Sequence, residues 1–177
     1  MPTWILRLGE YDERILHAVV VRRRRHVDIL IRALTHLGDA STSIALAGFL
    51  ALGVVPALEG AGKTAAFALA FSHILVQILK RSFSRPRPNL PVGITSLMKA
   101  PDRFSFPSGH SAAALSVFLP MALATPVPGS FLILALGIAV GFSRCYLGVH
   151  YPGDVLAGWT LAALAVFIAD PTLNPLI

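Results

Sequence analysis

Charge is what this chain has least of. Only 14% of its 177 residues are Asp, Glu, Lys or Arg, against roughly 25% in an ordinary soluble domain. The deficit is concentrated. Ala40 to Leu58, Thr64 to Leu79, Phe104 to Ser143 and Val155 to Ala169 contain no charged residue. Crossing a bilayer takes about 20 largely apolar residues, and the third run is long enough for two crossings. A water-soluble bundle is therefore excluded in favour of an integral membrane protein. Cysteine is nearly absent as well: Cys145 stands alone and cannot form an internal disulfide. Period-two alternation is missing, which argues against a β-barrel. There is no internal repeat and no low-complexity linker. The carboxylates are too few for a two-metal site and no metal-ligand spacing occurs, so neither metal nor other cofactor is expected. Residues 1–25 hold Glu10, Asp12, Glu13 and several arginines without a sustained apolar core, so no cleavable signal peptide is expected.

What is present is helical. Spans are expected at 40–58, 64–81, 108–125, 129–147 and 153–170, giving an all-α, polytopic transmembrane bundle of about five spans in a single domain over 1–177. Residues 39–177 form its membrane core. Residues 1–38 mix "ILHAVV" and "VDILIRAL" with Arg22 to Arg25, which suggests one or two amphipathic helices at the membrane surface, their arginines reaching lipid headgroups. Beside a transmembrane bundle, that basic run reads as lipid-facing rather than as a nucleic-acid site.

Counting the spans places the remaining polar residues. If the first starts on one side, the second ends there at Lys80-Arg81 and the third starts there at Ser108. The fourth ends there after Arg144, and the fifth starts there near Pro152. Lys80, Arg87, His110, Arg144, His150 and Asp154 therefore converge on one membrane face, while the opposite side has only short loops. Cations with two histidines and one carboxylate suit an anionic substrate and proton transfer. Lysine and arginine neutralise a phosphoryl group, arginine with forked donors. Ser108 would cap the third span, whose free N–H groups suit an oxyanion, and Gly109 lets the backbone come close. His150 precedes the fifth span and Asp154 lies one turn in. An aspartate on one imidazole nitrogen fixes the tautomer and leaves the other nitrogen free to attack phosphorus. His110 would then protonate the leaving alkoxide and afterwards activate water.

These residues carry a resemblance. Lys80 followed by six residues and then Arg87-Pro88, then Pro107-Ser108-Gly109-His110, then Ser143-Arg144 with His150 and Asp154 beyond, resemble the three signature motifs of the type 2 phosphatidic acid phosphatase superfamily. The resemblance implies a metal-independent helical phosphatase. In it Lys80, Arg87 and Arg144 bind phosphate with help from Ser108 and Gly109, His150 is the nucleophile with Asp154 as its partner, and His110 is the acid/base. The family core is usually described as six transmembrane helices, so here the N-terminal amphipathic segment would substitute for the first. Vanadium haloperoxidases share the constellation but are soluble, and the expected spans argue against them. A noncatalytic lipid-binding or lipid-transporting membrane protein is the other alternative; in that class the motif residues would often be eroded, and here all are present.

The bland readings have their places too. Arg81 and Arg85 read as interface anchors or loop contacts, and Ser143 as a packing residue. His73 and Gln77 share a helix face with Lys80 and Arg81, as an interhelical hydrogen bond or as intramembrane support for the site. Asp39 is either a helix cap or a contact to the basic site. The expected substrate is a membrane lipid phosphate: polyprenyl diphosphate, phosphatidylglycerol phosphate, phosphatidate or lipid A 1-phosphate, with a bacterial polyprenyl-phosphate phosphatase the leading reading. The loop Asn89 to Arg103 is best placed to influence selectivity. Every Lys and Arg except Lys63 falls on the site's side, so the positive-inside rule puts that face in the cytoplasm, at the inner (plasma) membrane.

Overall fold

A computed structural model describes residues 3–100, 102–170 and 172–174, with side chains from residue 9 onward. Seven α-helices are present among the described residues: α1 (Thr3–Val21), α2 (Arg25–Thr35), α3 (Ala40–Ala51), α4 (Glu59–Phe83), α5 (Gly109–Leu123), α6 (Gly129–Tyr146) and α7 (Pro152–Ala169). No strand occurs among them, only an isolated bridge between Pro86 and Phe104.

The span count is refined rather than overturned. Three helical stretches are long and apolar enough to cross a membrane, Pro56–Phe83, Gly129–Tyr146 and Pro152–Ala169, while α3 and α5 are shorter apolar helices. The expected span over 40–58 stops at Ala51, because the chain leaves the helix through a turn with Gly53 at φ +74°. The next helix starts earlier than the expected residue 64. Glu59 and Lys63 pair across one turn at 2.6 Å, so charge there begins a helix instead of delaying it.

Helix α5 sits at the centre and touches α3, α4, α6 and α7. Ser111 through Phe118 is buried without a break, as expected for a helix apolar all round. Small residues let its neighbours approach: Ala47, Ala65 and Ala113 share one cluster, and Ser72 bonds Ser116 between α4 and α5 at 2.9 Å.

The N-terminal helices lie at one end of this bundle. In α1, Leu16 and Val20, one turn apart, pack with Cys145 and Val155. Arg23 departs from the headgroup role expected of the arginine run. Its Nε donates to Tyr146 O and its Nη1 to Thr95 O, both at 2.7 Å, tying the α1–α2 turn to the end of α6.

Candidate active site

The end of α4, the start of α5, the end of α6 and the start of α7 meet on one side, as span counting requires. Ser108 N donates to Asp154 O at 2.9 Å, joining the two helix starts. They lie so close that a Cβ at Gly158 would come within 2.5 Å of Ser108 O. Between α6 and α7 the chain reverses through Gly148 at φ +75°, a conformation that suits glycine. That turn sets His150 against Arg87, near the start of the loop that follows α4.

His150 is buried. Its Nε2 accepts from Arg87 Nη1 at 2.8 Å, and its Nδ1 lies 3.5 Å from Asp154 Oδ2, close enough for electrostatic pairing but short of a well-formed hydrogen bond. Nε2 as acceptor puts the proton on Nδ1, toward the carboxylate. Burial drives the imidazole down to about 3; the nearby Asp154 carboxylate opposes this, and Arg87 and Arg144 reinforce it. The ring is therefore neutral at physiological pH and holds a lone pair on Nε2.

Asp154 is fully buried and held from several directions. Oδ2 accepts from Tyr151 N at 2.9 Å and Oδ1 from Arg85 Nη1 at 2.7 Å. Arg85 also donates to Asp12 Oδ2 at 2.8 Å and lies 4.0 Å from the centre of the Tyr151 ring. Asp12 in turn accepts from Gly153 N at 2.7 Å, so α1 braces the start of α7.

A second histidine–carboxylate pair faces the first. His110 Nε2 lies 2.9 Å from Asp39 Oδ1, and Asp39 Oδ2 lies 2.7 Å from His36 Nδ1. Burial works against this carboxylate, but the hydrogen bonds to His36 and His110 outweigh it and hold Asp39 below the usual carboxylate range. Gly38 makes the pairing possible: a Cβ there would stand 2.8 Å from His110 O and 2.7 Å from Val140 Cγ1.

The cations surround a third carboxylate. Lys80 Nζ donates to Asp102 Oδ2 and Arg87 Nη2 to Asp102 Oδ1, each at 2.7 Å. Burial disfavours the charged form of Asp102, and Lys80 and Arg87 more than reverse that, lowering it. Arg87 Nε and Arg144 Nε are buried without an acceptor among the described residues, a donor arrangement suited to an anion. Among the described residues no group of three or more His, Cys, Asp or Glu is placed to hold a metal ion.

The profile of the PAP2 superfamily matches residues 61–172. The chain belongs to the PAP2 superfamily. Its similarity to decaprenylphosphoryl-5-phosphoribose phosphatase of Mycolicibacterium smegmatis is 36% identity over 132 residues, covering 72% of this chain and 68% of the relative. Phosphatidylglycerophosphatase B of Bacillus subtilis is 30% identical over 175 residues, covering 89% and 80%. The crystal structure of a transmembrane PAP2-type phosphatidylglycerolphosphate phosphatase from Bacillus subtilis aligns with a TM-score of 0.78 at 28% identity, covering 93% of this chain and 85% of that one.

In this PAP2 protein the expected residues form two tiers. Lys80, Arg87, Gly109, His110 and His150 line one cavity of about 820 Å³. Ser108, Arg144 and Asp154 stand behind its wall, all essentially buried. Ser108 caps α5, accepting from Ser111 N at 3.4 Å and Ser111 Oγ at 2.7 Å. Arg144 donates to the buried Thr35 Oγ1 at 2.6 Å. Ser143 bonds back to Val140 O at 2.6 Å, the packing role expected of it. Arg85, expected as an anchor or loop contact, is instead a direct partner of Asp154. Asp39 makes no side-chain cap of α3 and pairs with His110, which decides between its two readings. Within the loop Asn89 to Arg103, Leu90 and Ile94 pack beside α1 and Leu97 N bonds Leu147 O, leaving Asp102 as the loop residue in the cavity wall among those described. Asp12, Thr35 and Asp102 carry no motif signal.

Proposed function

We propose that this PAP2 phosphatase hydrolyses a phosphomonoester or diphosphate of a membrane lipid through a phosphohistidine on His150. The observation that supports it best is the cavity itself. Two histidines, each backed by its own carboxylate, and two cations line one end, and the walls continue between α3 and α4 as Ile44, Ala47, Leu69 and Ile74. Such a space suits a phosphate with an apolar tail. Its relatives' named substrates, a phosphorylated decaprenylphosphoryl ribose and phosphatidylglycerophosphate, are lipids of that form.

The substrate phosphate takes the place of the Asp102 carboxylate between Lys80 and Arg87. Arg87 turns its donors from His150 Nε2 to phosphate oxygens, which frees the lone pair. Nε2 attacks phosphorus, the bond from phosphorus to the lipid oxygen breaks, and His110, protonated when the phosphate dianion enters beside it, supplies the proton that oxygen takes up. Asp154 stabilises the positive charge on the His150 ring. Water then attacks the phosphohistidine and gives His110 a proton, the P–N bond breaks, and inorganic phosphate leaves. Lys80 and Arg87 offset the charge on the equatorial oxygens, and Arg144 adds its positive charge from behind the cavity wall. Ser108 and Gly109 place the start of α5 beneath them.

Release of inorganic phosphate by the purified protein in detergent, across a panel of lipid phosphates and with chelator present, tests this reading. Release on at least one lipid supports it, and none above a heat-inactivated control on any lipid overturns it. Asp39→Asn should lower kcat by about tenfold or more, part of the 10²–10⁴ that a placed acid/base contributes, and leave KM nearly unchanged. A raised KM at constant kcat would assign Asp39 to binding instead.

The excess of cations on the site's side leads us to place that face in the cytoplasm, with the protein in the inner (plasma) membrane. Val92 is fully exposed in the loop on that side, whereas Cys145 is buried. A Val92→Cys protein should resist a membrane-impermeant maleimide in intact cells and react after permeabilisation. Labelling in intact cells would put the site outside.

A further inference from the structure

Two polar side chains of α4 lie in the cavity wall beyond the phosphate-binding end. His73 and Gln77 line the same space as Lys80, Arg87, His110 and His150. They stand on one face with Lys80, at helical spacings of four and three. At about 1.5 Å of rise per residue, Gln77 is about 4.5 Å and His73 about 10.5 Å further along the axis than Lys80. His73 is also about 15 Å from Phe83 at the end of the helix, near the middle of a hydrocarbon layer about 30 Å thick. Deeper still, the walls are Ala47, Gly48, Leu69 and Ala70.

A histidine at that depth is expensive to leave without partners. Here it is exposed to the cavity and the adjoining α4 surface, and the contact described for it is a long one, 3.4 Å from Gln77 Nε2. Beyond that contact each side chain keeps hydrogen-bonding capacity with no other partner among those described, and both also border the outer α4 surface beside Ile74, Ile78, Arg81 and Ser82. An ordinary hydrocarbon tail cannot use that capacity. A leaving group with oxygens of its own can.

We infer that His73 and Gln77 form a second recognition site, for a lipid whose leaving group carries hydroxyl, ester or phosphodiester oxygens about 5–10 Å from the scissile phosphorus, a distance set by the rise of α4. The inference rests on the lipid-phosphatase reading and narrows it. Substrates joining phosphate to hydrocarbon through a polyol or glycerol fit this wall. A prenyl monophosphate, apolar from its first carbon, leaves both side chains unused. This favours a polyol-linked lipid over the polyprenyl phosphate to which the sequence alone gives first place.

The test compares wild type with the His73→Leu, Gln77→Leu double variant on two substrates in the same detergent: phosphatidylglycerol phosphate and farnesyl phosphate. Losing two hydrogen-bonding side chains should lower kcat/KM on phosphatidylglycerol phosphate by about tenfold or more, chiefly through KM. On farnesyl phosphate kcat/KM should stay within about twofold, since an uncharged leucine wall suits its chain at least as well. Equal losses on both substrates, or no loss on either, would overturn the second site while leaving the phosphatase reading intact. A wild-type protein inert on phosphatidylglycerol phosphate but active on another lipid phosphate of the panel would overturn this inference alone, and one inert across the whole panel would remove its parent as well.

Discussion

A His150→Gln protein should lose lipid phosphatase activity by on the order of 10⁴-fold or more and carry no phosphoryl group, whereas a His110→Ala protein should carry one and fail to release it. The two histidines differ in what faces them. His150 presents a neutral Nε2 to the place where Lys80 and Arg87 would hold phosphate, so its loss removes the covalent route itself. His110 forms no bond to phosphorus in this scheme. Removing it slows both proton transfers, by about 10²–10⁴-fold on a lipid with an alkoxide leaving group. The split becomes visible with a labelled ester whose leaving group needs no proton. Phosphorylation then proceeds without His110, but water attack does not, and the enzyme accumulates in the phosphorylated form. The measurement is retention of label on the denatured protein, labile in acid and stable in alkali as a phosphoramidate should be. Label on the His150→Gln protein would overturn the assignment of the nucleophile. Turnover of His110→Ala at the wild-type rate on an ordinary lipid would remove its acid/base role.

How the two rings come to face each other was only partly legible in the sequence. Lys80, Arg87, Ser108, His110, Arg144, His150 and Asp154 sit at the ends of charge-free runs, so counting spans is enough to gather them. The residues that hold them in place have no such signature. Asp39 reaches His110 across 71 positions and Arg85 reaches Asp154 across 69. A contact of that separation depends on how helices pack, and local patterning does not encode it. Gly38 shows why: it reads as an ordinary glycine before a helix, yet its missing side chain is what lets Asp39 approach the start of α5. Arg23 makes the same point in reverse. Four consecutive arginines look interchangeable, and only packing against α6 turns this one inward to the carbonyls of Tyr146 and Thr95. The start of α4 is not legible because charge at Glu59 and Lys63 reads as an interruption, whereas the pair lies within the helix and closes its first turn.

Asp154→Asn should be nearly as damaging as loss of His150, although it changes one atom and almost no volume. The carboxylate has two oxygens and three donors around it: Tyr151 N and His150 Nδ1 at Oδ2, and Arg85 Nη1 at Oδ1. An amide has one oxygen. If it faces Arg85, its NH₂ confronts Tyr151 N and the protonated Nδ1 of His150, so the imidazole is pressed into the other tautomer and Nε2 loses its lone pair. If it faces His150, Arg85 is left with an NH₂ against its guanidinium and only Asp12 for compensation. The first arrangement disables the nucleophile and the second loosens the turn that carries it. In either case the positive His150 ring that forms on attack has lost its countercharge. A loss of about 10³–10⁴-fold is expected, the size seen when the analogous aspartate of a serine protease triad is changed to asparagine. The loss should fall on kcat, because in the proposed scheme Lys80 and Arg87 would bind phosphate without help from Asp154, and inhibition by vanadate should persist at nearly the wild-type concentration. Arg85→Leu separates the two contributions. It leaves the carboxylate facing His150 and removes only the brace, so it should cost about tenfold and lower thermal stability in detergent. Were Asp154→Asn instead to raise KM and spare kcat, Asp154 would be a brace for the turn between α6 and α7, and the orientation of His150 would have to come from Arg87.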